Sequence, residues 1–309
     1  MALVFVARDG SLGRDVVIKI LMPELAVTLN VERFTREIKL VAKLQQANIV
    51  PVLSAGTVGA LPYYCMPFIE GQSLRQRLKK GPPPSLQESV RVLCDIARAL
   101  EFAHDHGVVH RDIKPENVLL SGGTAVVTDF GIAKAVDAAQ KAPRGPTLTG
   151  RGAALGTPGY MAPEQAAGDK IDGRADIYSW GVVAYELIGG KHPFSEKRTA
   201  QQLIAAQIAE TPRPIDEVRR NVPPALASLI TRAIAKEPAD RPQSARELLE
   251  ALEDPAAMGA KSNRRMIVLA VIAAVLLIGA IAFCQRGSAI GSFDLARPPA
   301  DSSFAPRPA

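Results

Sequence analysis

Two short polar motifs, set a fixed distance apart between apolar runs, constrain this chain more than any other feature. Val109 to Leu120 reads VHRDIKPENVLL, and nine residues after Leu120 comes Asp129-Phe130-Gly131, behind the apolar Ala125-Val126-Val127. In the first motif Asp112 is followed two residues on by Lys114 and five on by Asn117. A carboxylate can accept a hydroxyl proton, a lysine can neutralise a phosphate oxygen, and an asparagine carbonyl can ligate Mg²⁺. A second acid beside a glycine, at the end of a strand, suits a metal that bridges phosphates. Each motif alone is a weak signal. Together, in this order and at this distance, they point to chemistry on phosphate groups.

The rest of the chain is that of a folded protein. Of 309 residues, 47% are hydrophobic and 22% charged, which excludes a disordered chain. The length suits about two domains. Cys65, Cys94 and Cys284 are too far apart for a disulfide framework or a zinc site, so a reducing compartment is expected. Of four histidines only His104, His106 and His110 are close together, which gives no metal-ligand pattern. The net charge of +6 reads as a solvated basic surface. With aromatics at 5%, base-stacking platforms are not indicated, and nucleic acid is not an expected partner.

Val16 to Leu21 has a strand's composition. Phe34, Ile38, Val41 and Leu44 fall on one face of a helix predicted over 31–44. Tyr63 to Ile69 reads as a strand that Gly71 breaks. Gln87 to His106 is a long helix, with Val90, Leu93, Cys94, Ala97 and Leu100 on its apolar face and Gly107 at its end. Strands come first and helices later, which predicts an α+β protein in two lobes.

The far end differs. Met266 to Cys284 holds nineteen residues without a charge. As a helix it would be roughly 28 Å long, close to the thickness of a bilayer core. A single membrane span over 266–284 is therefore expected. Lys261, Arg264 and Arg265 precede it, which places residues 1–265 in the cytosol by the positive-inside bias. Residues 285–309, with Pro, Gly, Ser and Ala, read as a short disordered tail outside the cytoplasmic membrane.

The motifs resemble those of the eukaryotic-type (Hanks-type) Ser/Thr protein kinases, in the bacterial membrane-anchored form. The resemblance covers residues 1–253, with a small β-rich lobe over about 1–69 and a larger helical lobe over about 70–253. Residues 254–265 would link this domain to the span. It implies ATP and Mg²⁺ as cofactors, with Mn²⁺ as the substitute, and proteins bearing Ser or Thr as substrates. Self-association for autophosphorylation is a further implied partnership.

Carried over residue by residue, Lys19 in Val16-Val17-Ile18-Lys19 would hold the nucleotide phosphates, and Glu37 would be its ion-pair partner from the next helix. Asp112 would be the catalytic base and Lys114 would stabilise the transferring phosphoryl group. Asn117 and Asp129 would hold the metal. Val17 would lie over the adenine, Met66 would be the gatekeeper, and Pro67 and Ile69 would belong to the hinge that binds the base. Further on, Thr157 in Gly156-Thr157-Pro158-Gly159-Tyr160 would contact the catalytic loop. Glu164 would pair with Arg241 in a buried structural bridge, and Asp176 would brace the catalytic-loop backbone. Thr147 and Thr149 would be autophosphorylation sites, with Arg111 as the phosphate's partner. His110 reads as a packed structural residue.

One departure stands out. The loop G-x-G-x-x-G-x-V that covers the phosphates in the family is almost absent here. If Val4 is its valine, Ala2 takes the third glycine's place. Residues 1–7 then supply only the second strand of that hairpin, and the expectation is that Met1 is not the natural start or that the chain as given is catalytically impaired. The competing reading is a membrane-anchored pseudokinase that binds partners without phosphoryl transfer. A small-molecule kinase is disfavoured by Thr157 and Glu164.

Overall fold

The computed structural model describes residues 2–22, 31–59, 61–131 and 158–254. The expected membrane span, the tail, Thr147, Thr149 and Thr157 lie outside these. Among the described residues no helix is long and apolar enough to cross a membrane.

The chain opens with an antiparallel pair, β1 (Ala2–Asp9) and β2 (Arg14–Leu21). Helix α1 follows (Val31–Val41), then β3 (Ser54–Val58) and β4 (Leu61–Pro67). These strands form one sheet in the order β1-β2-β4-β3, antiparallel throughout. In β4 the even-numbered Pro62, Tyr64 and Met66 are buried, the period-2 alternation of a sheet with one covered face. Phe34 and Ile38 from α1 pack there with Leu21, Val50, Tyr64 and Met66. Val41 and Leu44, from the same predicted stripe, are buried in the other, larger core. The helix itself stops at Val41, three residues short of the predicted end.

After Pro67 the chain leaves the sheet. Gly71 has φ +142, and a Cβ there would sit 2.1 Å from the Leu120 carbonyl oxygen, so only glycine fits. A second sheet follows, β5 (Gln72–Ser73), β6 (Val118–Ser121) and β7 (Thr124–Val127), in that order. Between β5 and β6 lie α2 (Leu74–Lys80) and α3 (Leu86–Asp105). Ser73 begins α2 with a reciprocal cap to Gln76, and the Ser85 hydroxyl accepts from the Glu88 amide at the start of α3. All five apolar positions expected on α3 are buried.

The remainder is helical: α4 (Pro163–Ala167), α5 (Gly173–Gly189), α6 (Ala200–Ala209), α7 (Ile215–Val218), α8 (Pro224–Ala233) and α9 (Ala245–Glu253). Helix α5 is the pillar of this part, buried at every residue from Ala175 to Ile188. A helix buried all round has to be surrounded, and its buried Asp176 and Glu186 have to find partners. The two parts meet at residues 48–50, where the Val50 amide donates to Val127 and the Val127 amide donates to Asn48. The architecture is the expected α+β one, a β-rich portion ahead of a helical one.

Candidate active site

Two loops, 110–117 and 128–131, and the first sheet supply the charged groups of the site. The catalytic-loop motif starts at His110, which is fully buried. Its Nε2 donates to the Thr128 carbonyl at 2.9 Å, and its Nδ1 accepts from the Asp112 amide at 3.2 Å. The ring therefore carries its proton on Nε2 and is used up as a brace. Its edge also packs on Phe130, with ring centroids 4.5 Å apart. Beneath it Asp176, on α5 and 0% exposed, accepts from the backbone amides of His110 and Arg111, both at 2.8 Å. His104 Nε2 donates to the same carboxylate at 2.8 Å. Burial pushes the Asp176 pKa up, but the His104 hydrogen bond, the electrostatic pull of His104 and His110 and the Arg111 amide outweigh it, so the group stays below the usual carboxylate range.

That anchoring presents Asp112 with its carboxylate about a quarter exposed. Lys114 Nζ donates to Asp112 Oδ2 at 2.6 Å, and Asn117 Nδ2 donates to the same oxygen at 3.1 Å. Asn117 Nδ2 also donates to the Asp112 carbonyl at 2.8 Å, and the Asn117 carbonyl accepts from the Thr128 amide. The Asn117 amide nitrogen is thus committed to the loop, which leaves its side-chain oxygen as the atom that can coordinate a cation.

Asp129 lies one residue beyond Thr128, at φ +67, a left-handed conformation that costs a non-glycine residue energy. Lys19 Nζ donates to its Oδ2 at 2.5 Å and Tyr64 Oη to its Oδ1 at 2.8 Å. Lys19 and Tyr64 are directly opposed in the β2–β4 register, so both point to the same face. Burial, then the charge of Asp129, pushes the Tyr64 phenol well above its ordinary pKa, so it acts as a donor. Gly131, at φ +62, follows; a Cβ there would come within 2.7 Å of Val41.

The other predicted residues fall around this centre. Val4 pairs with Lys19 across β1–β2, and Val17 pairs with Met66 across β2–β4, which puts all four on one face of the sheet. Met66 Sδ accepts from the Thr128 hydroxyl at 3.3 Å. Pro67 ends β4, and Ile69 packs against the Tyr64–Met66 cluster. Glu37, the partner expected for Lys19, is half-buried on α1. The carboxylate that the structure sets at 2.5 Å from Lys19 is that of Asp129. Thr147, Thr149 and Thr157 lie outside the described residues.

Sequence reading missed Tyr64 and Arg75. Tyr64 was open to inference, since it lies two residues before Met66 on the same strand face. Arg75 carried no local signal. From α2 it donates to Glu116 beside Asn117 (2.8 Å), to Glu186 on α5 (2.7 Å) and to the Tyr160 hydroxyl, which in turn donates to Glu186. This ties the catalytic loop to the segment after Pro158. Below it Arg241, fully buried, makes a two-pronged bridge to Glu164 at 2.7 and 2.8 Å.

The donor set suits a hard divalent cation. Asn117 and Asp129 offer oxygen only, and the described residues hold no cluster of three or more His, Cys, Asp and Glu side chains that could ligate a metal. Mg²⁺ commonly binds through one or two protein oxygens together with substrate phosphates. Lys19 and Lys114 supply positive charge on either side.

The profile of the protein kinase domain matches residues 1–252. The chain is 37% identical over 257 residues to the serine/threonine-protein kinase PknB of Mycolicibacterium smegmatis, covering 80% of this chain and 40% of that protein. It is 36% identical over 255 residues to a probable serine/threonine-protein kinase of Clostridium acetobutylicum, covering 82% of this chain and 38% of that protein. To PknB of Mycobacterium tuberculosis it is 37% identical over 255 residues, covering 80% and 40%. The chain therefore spans about two fifths of the length of these relatives. With a family profile over most of its length, Asp112, Lys114 and Asn117 joined on one loop and Asp129 held by Lys19, this chain belongs to the protein kinase family.

Proposed function

We propose that the protein is a serine/threonine kinase that transfers the γ-phosphate of ATP to Ser or Thr hydroxyls of proteins. The observation that carries this is the pairing of two clusters, Asp112–Lys114–Asn117 on the catalytic loop and Lys19–Asp129 beneath the sheet. Asp112 accepts the proton of the substrate hydroxyl as its oxygen bonds to the γ-phosphorus. The bond to the β-phosphate oxygen breaks, and ADP leaves with that electron pair. Lys114 neutralises charge on the moving phosphoryl group, and Lys19 holds the phosphates that stay behind. Asn117 and Asp129 would hold Mg²⁺, or Mn²⁺ in its place, which would supply charge neutralisation to the phosphates. The catalytic task is positioning more than covalent chemistry, and the Asp176 brace serves it. The similarity to proteins named serine/threonine-protein kinases supports the choice of acceptor.

The same proposal places the kinase domain in the cytosol, held at the membrane by 266–284, with a signalling role that includes autophosphorylation of Thr149 or Thr147. The uncharged run and the basic residues ahead of it support this. A phosphate at either threonine would add about two negative charges, for which Arg111 is the proposed partner.

The test is transfer of labelled γ-phosphate by the full chain, with phosphoamino-acid analysis and mapping of the sites. Label on Ser and Thr that disappears in Asp112→Asn is expected. Nucleotide binding without any transfer would establish the pseudokinase reading instead. For topology, protease added to intact cells should spare the kinase domain, and deletion of residues 262–309 should release it from the membrane fraction.

A further inference from the structure

We propose that the Tyr64 hydroxyl is a positioning group for Asp129, and through it sets how strongly the nucleotide site takes up a divalent cation. This rests on the reading of Asp129 as a metal-holding residue. Four observations carry it. First, Tyr64 is 3% exposed and packed among Phe34, Ile38, Val50 and Met66. Packing in such a cluster needs the ring and gains nothing from a hydroxyl, since a buried hydroxyl must find a partner.

Second, the partner that the hydroxyl finds is Asp129 Oδ1 at 2.8 Å, across 65 residues of sequence. Third, Lys19 takes the other oxygen, Oδ2, at 2.5 Å from the neighbouring strand position. The carboxylate is thus gripped at both oxygens by donors from two adjacent strands, which fixes its rotation about the last side-chain bond. A carboxylate has about four acceptor sites, so two hydrogen bonds leave acceptor sites for a cation in a fixed direction. Fourth, Asp129 sits in a left-handed backbone conformation that its surroundings have to hold. The grip on its side chain is one such hold.

The neighbouring Tyr63 provides an internal control. It points to the other face of the strand, where its ring covers Gly56. A one-residue slip in register would exchange the two tyrosines, so the contact with Asp129 is a property of register as well as of residue type.

Partners that orient metal ligands typically contribute about 10–100-fold in metal affinity or activity. The experiment compares the full chain with Tyr64→Phe, Tyr64→Leu and Tyr63→Phe. A fluorescent non-hydrolysable ATP analogue is bound in EDTA and then titrated with Mg²⁺. Read against its own metal-free binding in EDTA, the half-saturating Mg²⁺ concentration of Tyr64→Phe should rise about tenfold. Tyr64→Leu should show the same rise, and Tyr63→Phe none. If the wild-type chain binds the analogue with no response to Mg²⁺ or Mn²⁺, the metal reading of Asp129 fails and this proposal with it. If the wild type responds and both Tyr64 variants share its midpoint, the positioning role alone is overturned. A lowered unfolding temperature with an unchanged Mg²⁺ midpoint marks a purely structural hydroxyl and overturns it too.

Discussion

Two apolar stretches of this molecule end in opposite environments. In β1, Leu3, Val4, Phe5 and Val6 are all exposed, on the edge strand of a four-stranded sheet. In α5, every residue from Ala175 to Ile188 is buried. The difference carries over to the active site. Lys19 hangs from a sheet whose own core is six buried side chains, Leu21, Phe34, Ile38, Val50, Tyr64 and Met66, and with Tyr64 it grips Asp129 on the loop after β7. Asp112, Lys114 and Asn117 stand on a loop tied to Asp176 on α5. The half proposed to hold the nucleotide rests on a thin support, while the half proposed to accept the proton rests on the main core. Local stability in proteins is uneven in this way, and ligand-binding parts are drawn from its lower end.

The largest effect that would sharpen this comparison is catalytic. Asp112→Asn should lower kcat by about 10²–10⁴-fold, since the amide cannot take a proton, while the unfolding midpoint stays near that of the wild type. Steady-state kinetics beside a denaturant curve checks both halves of that statement. Undiminished turnover would remove Asp112 from its role.

Next in size is the bridge under the helical part. Arg241→Ala leaves Glu164 buried without its cation and should cost about 3–5 kcal/mol of stability. Equilibrium unfolding measures it. A loss under about 1 kcal/mol would mean the helical part is not the rigid half.

The contrast between cores is tested by a matched pair. Leu100→Ala, in the fully buried face of α3, should cost about 2–5 kcal/mol. Val4→Ala, at a side chain 59% exposed, should stay within about 0.5 kcal/mol. Equal losses at the two sites would break the comparison.

The smallest effect is one of pH. Lys236 sits against the rings of Tyr178 and Phe194 and donates to the Ala206 and Gln207 carbonyls. Burial, then the charge of Arg241, pushes its pKa down from the ordinary 10.5 to about 8. The folded state therefore binds this proton more weakly than the unfolded state does. Stability relative to Lys236→Met should rise as pH goes from about 8 to 10.5, and stay flat below 8. Thermal unfolding of both proteins across that range reads the slope, and a falling difference would reverse the assignment.

Much of the site is legible in the residues alone. The spacing of Asp112, Lys114 and Asn117 is local, and a loop of that composition has few other uses. Phe34, Ile38 and Val41 mark their helix because burial follows the 3.6-residue period, while Leu44, from the same stripe, lies beyond its end. The bridge of Glu164 to Arg241 and the brace by Asp176 follow from the family resemblance, and the structure places both sets of groups in contact. The pairing of Lys19 with Asp129 does not follow. The sequence reading assigns Glu37 to Lys19 and Asp129 to the metal, and only the packed loops bring Asp129 to 2.5 Å from Lys19. Tyr64 hides in its strand, because a phenol in an apolar run looks like core.

The sequence by itself determined which groups could do chemistry, since residue type and short spacing set what a loop can offer to a phosphate or a hydroxyl. It also determined the course of its most strongly patterned elements, among them β2, α1, β4 and α3, because period-2 and period-3.6 patterns are written along the chain. Only the tertiary structure decided which partner each charge takes. Asp129 is held by Lys19 and Tyr64, Arg75 joins Glu116 to Glu186, and His110 spends both ring nitrogens on the loop. Most of these contacts span many tens of residues. They depend on strand register and on how α3 and α5 pack, and no local stretch of sequence encodes a distance of 2.8 Å between positions 64 and 129.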